Sequence, residues 1–408
     1  MIRRLWTRAV VAASVGLATA ALYSQEPSSD SAMNAVERLQ QRLDAGAISF
    51  DEEADPLRLL RQVLAGFGVP DDTQMLVFSK TSLQLEHISP SSPRALYFND
   101  DVAVGYVQGG DIEVAAVDRR NAVAFYALPV TPSKVRRFER RVAECASCHG
   151  VRPARLTVTS VTPSADGMPY LAFTGTERPV VVDHTTPFDQ RWGGWYVTGT
   201  HGAQRHRGNA VARDLLRPFD LDTEGTQNRT TVPEAVDLTR YLQPTSDIVT
   251  LMVFEHQVRG INLLMAAALQ AESANVSATA RGKTLDDLTR YLTFADEAPL
   301  REAIRGTSPF SATFPARGQK DGQRRSLRDL NLETRVFRYP LSYLIYSEAF
   351  RALPTAVRSD VCRRLFIALT QSPLTVATGL TEADRRAALE IVRDTVTDLP
   401  DEWKAYGR

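Results

Sequence analysis

Cysteine is scarce in this chain, three residues in 408: Cys145, Cys148 and Cys362. A secreted scaffold held by disulfides carries more, and in even number, so that class is excluded. Lysine is nearly as rare, five of 48 basic residues, the remainder being arginine. Net charge is lacking altogether, because 48 acidic residues balance the 48 basic ones. No global field therefore favours a polyanion, and nucleic acid is not expected as a partner. Beyond the first 25 residues no apolar run approaches the roughly 20 residues that a bilayer crossing needs. A stable membrane span is accordingly not expected in the mature chain.

What is present starts at the N-terminus. Arg3, Arg4 and Arg8 precede an apolar run from Ala9 to Tyr23, followed by small and polar residues. This is the pattern of a secretory signal peptide, assigned to residues 1–24, with cleavage expected near Ala20 or Ser24 and a periplasmic product. Its apolar run is short for a permanent anchor.

Two of the three cysteines fall in "ECASCHG", residues 144–150. Two intervening residues let both sulfurs reach one edge of a porphyrin from a single helical turn, and the adjacent histidine is then carried under the metal. CxxCH is the attachment string of c-type haem. Given how rare Cys and His are here, chance would produce it with a probability of roughly a few in ten thousand. A thioredoxin-like pair expects a strand leading into the motif, whereas "SKVRRFERRVAECASCHG" reads as helix running into it. A zinc site lacks a second cysteine pair. The expectation is one covalent haem c, anchored by Cys145 and Cys148, with His149 as proximal iron ligand. Cys362, among apolar residues at helical spacing, reads as a buried small hydrophobe.

Function then turns on the sixth iron position, closed by Met or His in electron carriers and open in ligand-binding haems. The stretch "DHTTPFDQRWGGWYVTGTHGAQRHRGN", residues 183–209, holds three of the six histidines. His206 and His201 are the first two distal candidates and Met168 the third; an open position is the alternative. Trp192 and Trp195 are candidates for a pocket wall, with glycines allowing close approach to a flat ligand. A basic run flanks the motif: Lys134, Arg136, Arg137, Arg140, Arg141, Arg152 and Arg155. Arg137 and Arg141 are candidate propionate partners, since guanidinium pairs with carboxylate through two donors. The same charges would steer an acidic redox partner protein. A second metal site from His201, His206 and His256 has no tight spacing to support it.

Along the chain, "SSDSAMNAVERLQQRLDAGAI" and "DPLRLLRQVLAGFG" read as helices. Residues 74–128 alternate β-branched and aromatic runs with turn strings, the pattern of an antiparallel meander. After Pro244 the chain reads as mainly helical, beginning with a long helix in "SDIVTLMVFEHQVRGINLLMAAALQAESA". "ETRVFRYPLSYLIYSEAFRAL" is expected as a further helix and "FPARGQKDGQRRSLRDLNL" as an exposed polar loop. The expected class is α+β: an antiparallel β meander plus a cytochrome c-like haem region, followed by a mainly helical C-terminal half. Its segments are 1–24 (signal), 25–130 (helices and meander), 131–243 (haem region) and 244–408 (helical).

The strings "CASCHG", "RWGGWYVTGTHGAQRHRGN" and "FRYPLSYLIYSEAF" together resemble an uncharacterised family of large exported bacterial proteins with a single cytochrome c haem motif. The resemblance spans most of the mature chain. It implies haem c and no particular reaction. Three roles follow as expectations: periplasmic electron transfer, a haem-dependent oxidoreductase with an open distal pocket, or a haem-based sensor or partner-binding protein. A di-haem peroxidase would need a second attachment motif.

Overall fold

A computed structural model describes residues 33–131, 136–150, 153–170, 179–214, 217–371 and 380–406. The expected signal segment, Lys134 and Arg152 lie outside these residues. The first helix, α1 (Ala35–Asp44), begins where Asn34 accepts from the Val36 and Glu37 amides while Glu37 returns a bond to the Asn34 amide. That reciprocal cap satisfies donors which the first helical turn otherwise leaves unpaired. Helix α2 (Pro56–Phe67) has Asp55 as its cap, proline in its first turn and Gly68 at its end.

The meander forms as expected. Strands β1 (Met75–Val77), β2 (Arg94–Phe98), β3 (Val102–Tyr106), β4 (Ile112–Asp118), β5 (Ala122–Leu128) and β6 (Glu139–Arg140) make one antiparallel sheet in chain order. Side chains alternate between its faces. Ile112, Val114 and Ala116 pack with Val36, Leu59, Leu60 and Val63 of the two N-terminal helices. Glu113, Ala115 and Val117 point the other way. On that second face Phe98 meets Phe254 of the long helix, ring centroids 4.9 Å apart. Each large apolar side chain buried in this way contributes about 1.5–3 kcal/mol.

The next segment departs from expectation. Among the described residues of 133–150 helix is confined to α3 (Ala143–His149), and Glu139–Arg140 is strand instead. The cause is tertiary, because strand β5 would otherwise present an unpaired edge, and Tyr126 and Ala127 pair there with Arg140 and Glu139. Short ladders follow: β7 (Thr159–Ser160) with β8 (Val180–Val181), and β10 (Ala212–Asp214) with β11 (Arg217–Leu221). Strand β9 (Gly199–Thr200) pairs with β12 (Arg305–Gly306).

Helix α4 (Ile248–Glu272) spans 25 residues and is capped by Asp247, which accepts from the Val249 and Thr250 amides. Most of its residues are buried over the first five turns, the signature of a helix surrounded by protein on all sides. Against it pack α5 (Ala278–Leu292), α6 (Phe310–Ala316), α7 (Glu348–Arg351) and α8 (Thr355–Thr370), with α9 (Glu382–Thr395) on α8 and α10 (Asp401–Ala405) on α9. Residues 333–353 are not one helix: Leu330 bridges Phe337, Tyr343–Tyr346 form a 3-10 turn, and only α7 is α-helical. Pro340 has no amide to donate to an α ladder, which accounts for the break. The polar stretch after Phe314 is likewise not wholly exposed, since Ser326 and Leu327 are buried. Cys362 is buried on α8, as its surroundings in sequence suggested. Met33–Arg408 form a single unit, and one hydrophobic core joins Met75, Trp192, α4 and Trp403. Among the described residues no helix is long and apolar enough to cross a membrane.

Candidate functional site

The CxxCH segment is a short excursion fastened on entry to strand β5 and on exit to Asn121, the residue just before that strand. On entry, the Arg141 amide donates to the Phe125 carbonyl (2.8 Å). On exit, the Ala154 amide donates to the Asn121 carbonyl (2.9 Å) and the Arg155 amide to that of His149 (2.9 Å). Between these ties, α3 places Cys145, Cys148 and His149 at i, i+3 and i+4, which share one helical face. Gly150 ends the helix with φ +78° and ψ 167°, a conformation close to glycine-only.

Both thiols are unbridged, Cys145 half-buried and Cys148 exposed. Burial, with Glu113 and Glu144 adding to it, pushes the Cys145 thiol up to about 11. A redox-active CxxC pair needs the opposite shift, because the thiolate is its nucleophile. His149 Nδ1 lies 2.7 Å from the Arg155 carbonyl oxygen. A carbonyl only accepts, so Nδ1 carries the proton and Nε2 keeps its lone pair. Burial holds the imidazole below its ordinary pKa, in the neutral form. Metal-bound histidines are oriented in this way, by a bond from the other ring nitrogen. The donor set of two thiols and one imidazole with an available lone pair thus fits covalent haem. Against the imidazole packs Phe125 of β5, ring centroids 4.5 Å apart and planes inclined at 34°.

The two candidate propionate partners are paired within the chain. Arg137 meets Asp44 (3.0 Å), and Arg141 meets Glu139 (2.8 Å) and Glu144 (3.5 Å). Arg136 is buried and donates to the carbonyls of Pro129, Thr131 and Glu52, a structural role.

Segment 183–209 packs on α4 and on strand β1. Arg191, 1% exposed, pairs with Glu255, 0% exposed, at 2.6 Å. Trp192 Nε1 donates to the other Glu255 oxygen (2.8 Å), and Trp195 Nε1 to the Thr159 carbonyl (2.8 Å). Both indoles are buried. A Cβ on Gly193 would sit 2.1 Å from the Val161 carbonyl oxygen, so the close approach this glycine allows is to the chain itself. Glu255 and His256 point to different sides of α4 and both are buried. His256 Nδ1 lies 2.8 Å from His184 Nδ1, and its Nε2 2.7 Å from Ser342 Oγ.

The other two histidines of this segment form a second pair. His201 and His206 have ring centroids 4.7 Å apart and share Phe188 as a neighbour. His201 Nε2 accepts from the Asn228 amide (3.1 Å), and His206 Nδ1 accepts from the Gly208 amide (3.0 Å). Burial lowers both pKa values, His206 to about 3, so each ring is neutral. Each therefore carries its one proton on the nitrogen that does not accept, and neither offers an unused lone pair. Met168 is half-buried in a turn where Ser164 and Asp166 bond the backbone. Among the described residues, no hydrogen bond, ion pair or ring contact joins His201, His206, Met168, Trp192 or Trp195 to Cys145, Cys148 or His149. His201, His206 and His256 are not gathered, and no described group of three or more His, Cys, Asp or Glu residues is arranged to hold a metal ion.

Sequence reasoning missed Phe125 and the Arg191–Glu255 pair. Glu255 left a trace, as a lone carboxylate inside an otherwise apolar helical run; Phe125, one aromatic in a β pattern, left none. No family model, curated protein or solved structure matches this chain.

Proposed function

We propose that this is an exported, periplasmic c-type cytochrome-like protein that carries one covalent haem and transfers single electrons to or from a partner protein. The observation that carries this reading is the bond from His149 Nδ1 to the Arg155 carbonyl, beside two unbridged thiols on the same helical face. Each thiol S–H would add across a vinyl C=C bond, sulfur to one carbon and hydrogen to the other, with no atom lost. Haem bound there supplies one-electron redox chemistry. Cys145 and Cys148 fix its position, and His149 presents Nε2 to the iron. Periplasmic location rests on the N-terminal pattern and on the site of thioether ligation in cells.

The test is production in a host competent in thioether ligation, then denaturation and staining of the polypeptide for peroxidase activity. Pigment that stays with the wild-type chain and is lost from Cys145→Ala with Cys148→Ala supports the reading; a colourless wild-type chain sinks it.

A specific observation favours a second reading of the same site. The lone pair of each of His201 and His206 already accepts a backbone amide, from Asn228 and Gly208 respectively, which leaves Met168 or an open sixth position. An open position makes the protein a haem-dependent oxidoreductase or a haem-based sensor. A ferrous form that binds carbon monoxide supports this alternative; a low-spin spectrum indifferent to it supports electron transfer.

A further inference from the structure

Strand β5 and Asn121 just before it hold the motif by backbone bonds on both sides, and the strand also contributes one side chain to it. Phe125 accepts the Arg141 amide with its carbonyl at 2.8 Å and lays its ring against His149 at 4.5 Å. Its cross-strand partner, Ala115, and Ala127, two residues along on the same face, are small. The Phe125 ring therefore rises above its neighbours and fills the gap between sheet and imidazole. The bond from Nδ1 to the Arg155 carbonyl fixes one point of the His149 ring. Such a bond alone leaves the ring able to swing about the axis through that point. An aromatic face in contact removes the swing. We infer that Phe125 is a positioning residue for the proximal imidazole, setting its rotation about the iron–nitrogen axis and thereby the iron's ligand field and reduction potential. This inference rests on the haem reading above. Groups beyond the ligands tune metal centres in this manner, through ligand orientation and the environment of the site.

The test uses haem-loaded protein carrying Phe125→Leu or Phe125→Tyr, with haem content measured as the pyridine haemochrome. Phe125→Leu is expected to retain stoichiometric covalent haem, to change the spread of g-values in the ferric electron paramagnetic resonance spectrum, and to change the reduced-to-oxidised ratio at fixed poise by at least threefold. Phe125→Tyr keeps the ring and is expected to match wild type in both. A pigmented Phe125→Leu protein with the wild-type spectrum and ratio overturns the inference and leaves the haem reading standing. A colourless wild-type chain overturns both. If Phe125→Leu does not mature, nuclear Overhauser contacts between the ring protons of Phe125 and His149 in labelled wild-type holoprotein decide the matter: their presence supports the inference and their absence overturns it.

Discussion

Replacing Arg191 with methionine removes the only cation that touches the wholly buried Glu255 among the described residues. Arg191 also donates through Nε to the Thr186 carbonyl (2.8 Å) and through its second terminal nitrogen to the His184 carbonyl (3.1 Å). Breaking a buried pair by deleting one partner costs about 3–5 kcal/mol, because an uncompensated charge stays behind. Burial already pushes Glu255 up to about 7 against the pull of Arg191. Without the guanidinium its pKa rises further, and the carboxyl takes up a proton at neutral pH. That uptake limits the electrostatic loss and holds the total to about 3–5 kcal/mol, stranded carbonyls included. The sign of the pH dependence follows. A folded pKa above the unfolded value means the folded state binds more protons, so stability falls as pH rises through that interval. Urea unfolding at pH 6 and pH 8 is the assay, and the loss in Arg191→Met should be larger at pH 8. The double variant Arg191→Met with Glu255→Leu should recover most of it, since apolar replacement of both partners leaves no buried charge. A loss below about 1 kcal/mol, or a double variant no better than the single, would refute the reasoning.

Glu297 offers a cleaner pH test: burial raises it to about 7, and one of its carboxylate oxygens is buried without a partner among the described residues. Glu297→Gln should flatten the fall in stability between about pH 4.5 and 7 and stabilise the chain at pH 8 by roughly 1–3 kcal/mol, read from urea midpoints across that range. Gly150→Ala should cost about 1–3 kcal/mol at a backbone conformation that β-carbons oppose, and lower the yield of stained polypeptide under thioether-ligating expression. Substituting His206 or His201 by glutamine should leave the ferric absorption spectrum unchanged, because the lone pair of each ring is already committed; loss of a low-spin spectrum in either variant would contradict the tautomers assigned here.

The parts legible in the sequence were those whose chemistry repeats at a local period or spacing. Cys145, Cys148 and His149 announce themselves because three reactive groups within five residues share a helical face. Helix α4 is readable from an apolar run behind an aspartate cap, α2 from the glycine that stops it, and the meander from alternation between turn strings. Tertiary packing and backbone geometry decided the rest. Residues 139–140 became strand because β5 had an edge to cover, overriding a stretch that reads as helix. His201 and His206 owe their tautomers to backbone amides of Asn228 and Gly208, which any residue type but proline supplies, so composition carries no hint of them. Arg191 and Glu255, or Phe125 and His149, meet only once distant segments are packed. The order of residues determined the helical face that Cys145, Cys148 and His149 share and most of the helices; the tertiary structure decided which nitrogen of each imidazole is available, because that depends on which backbone group the fold places beside the ring.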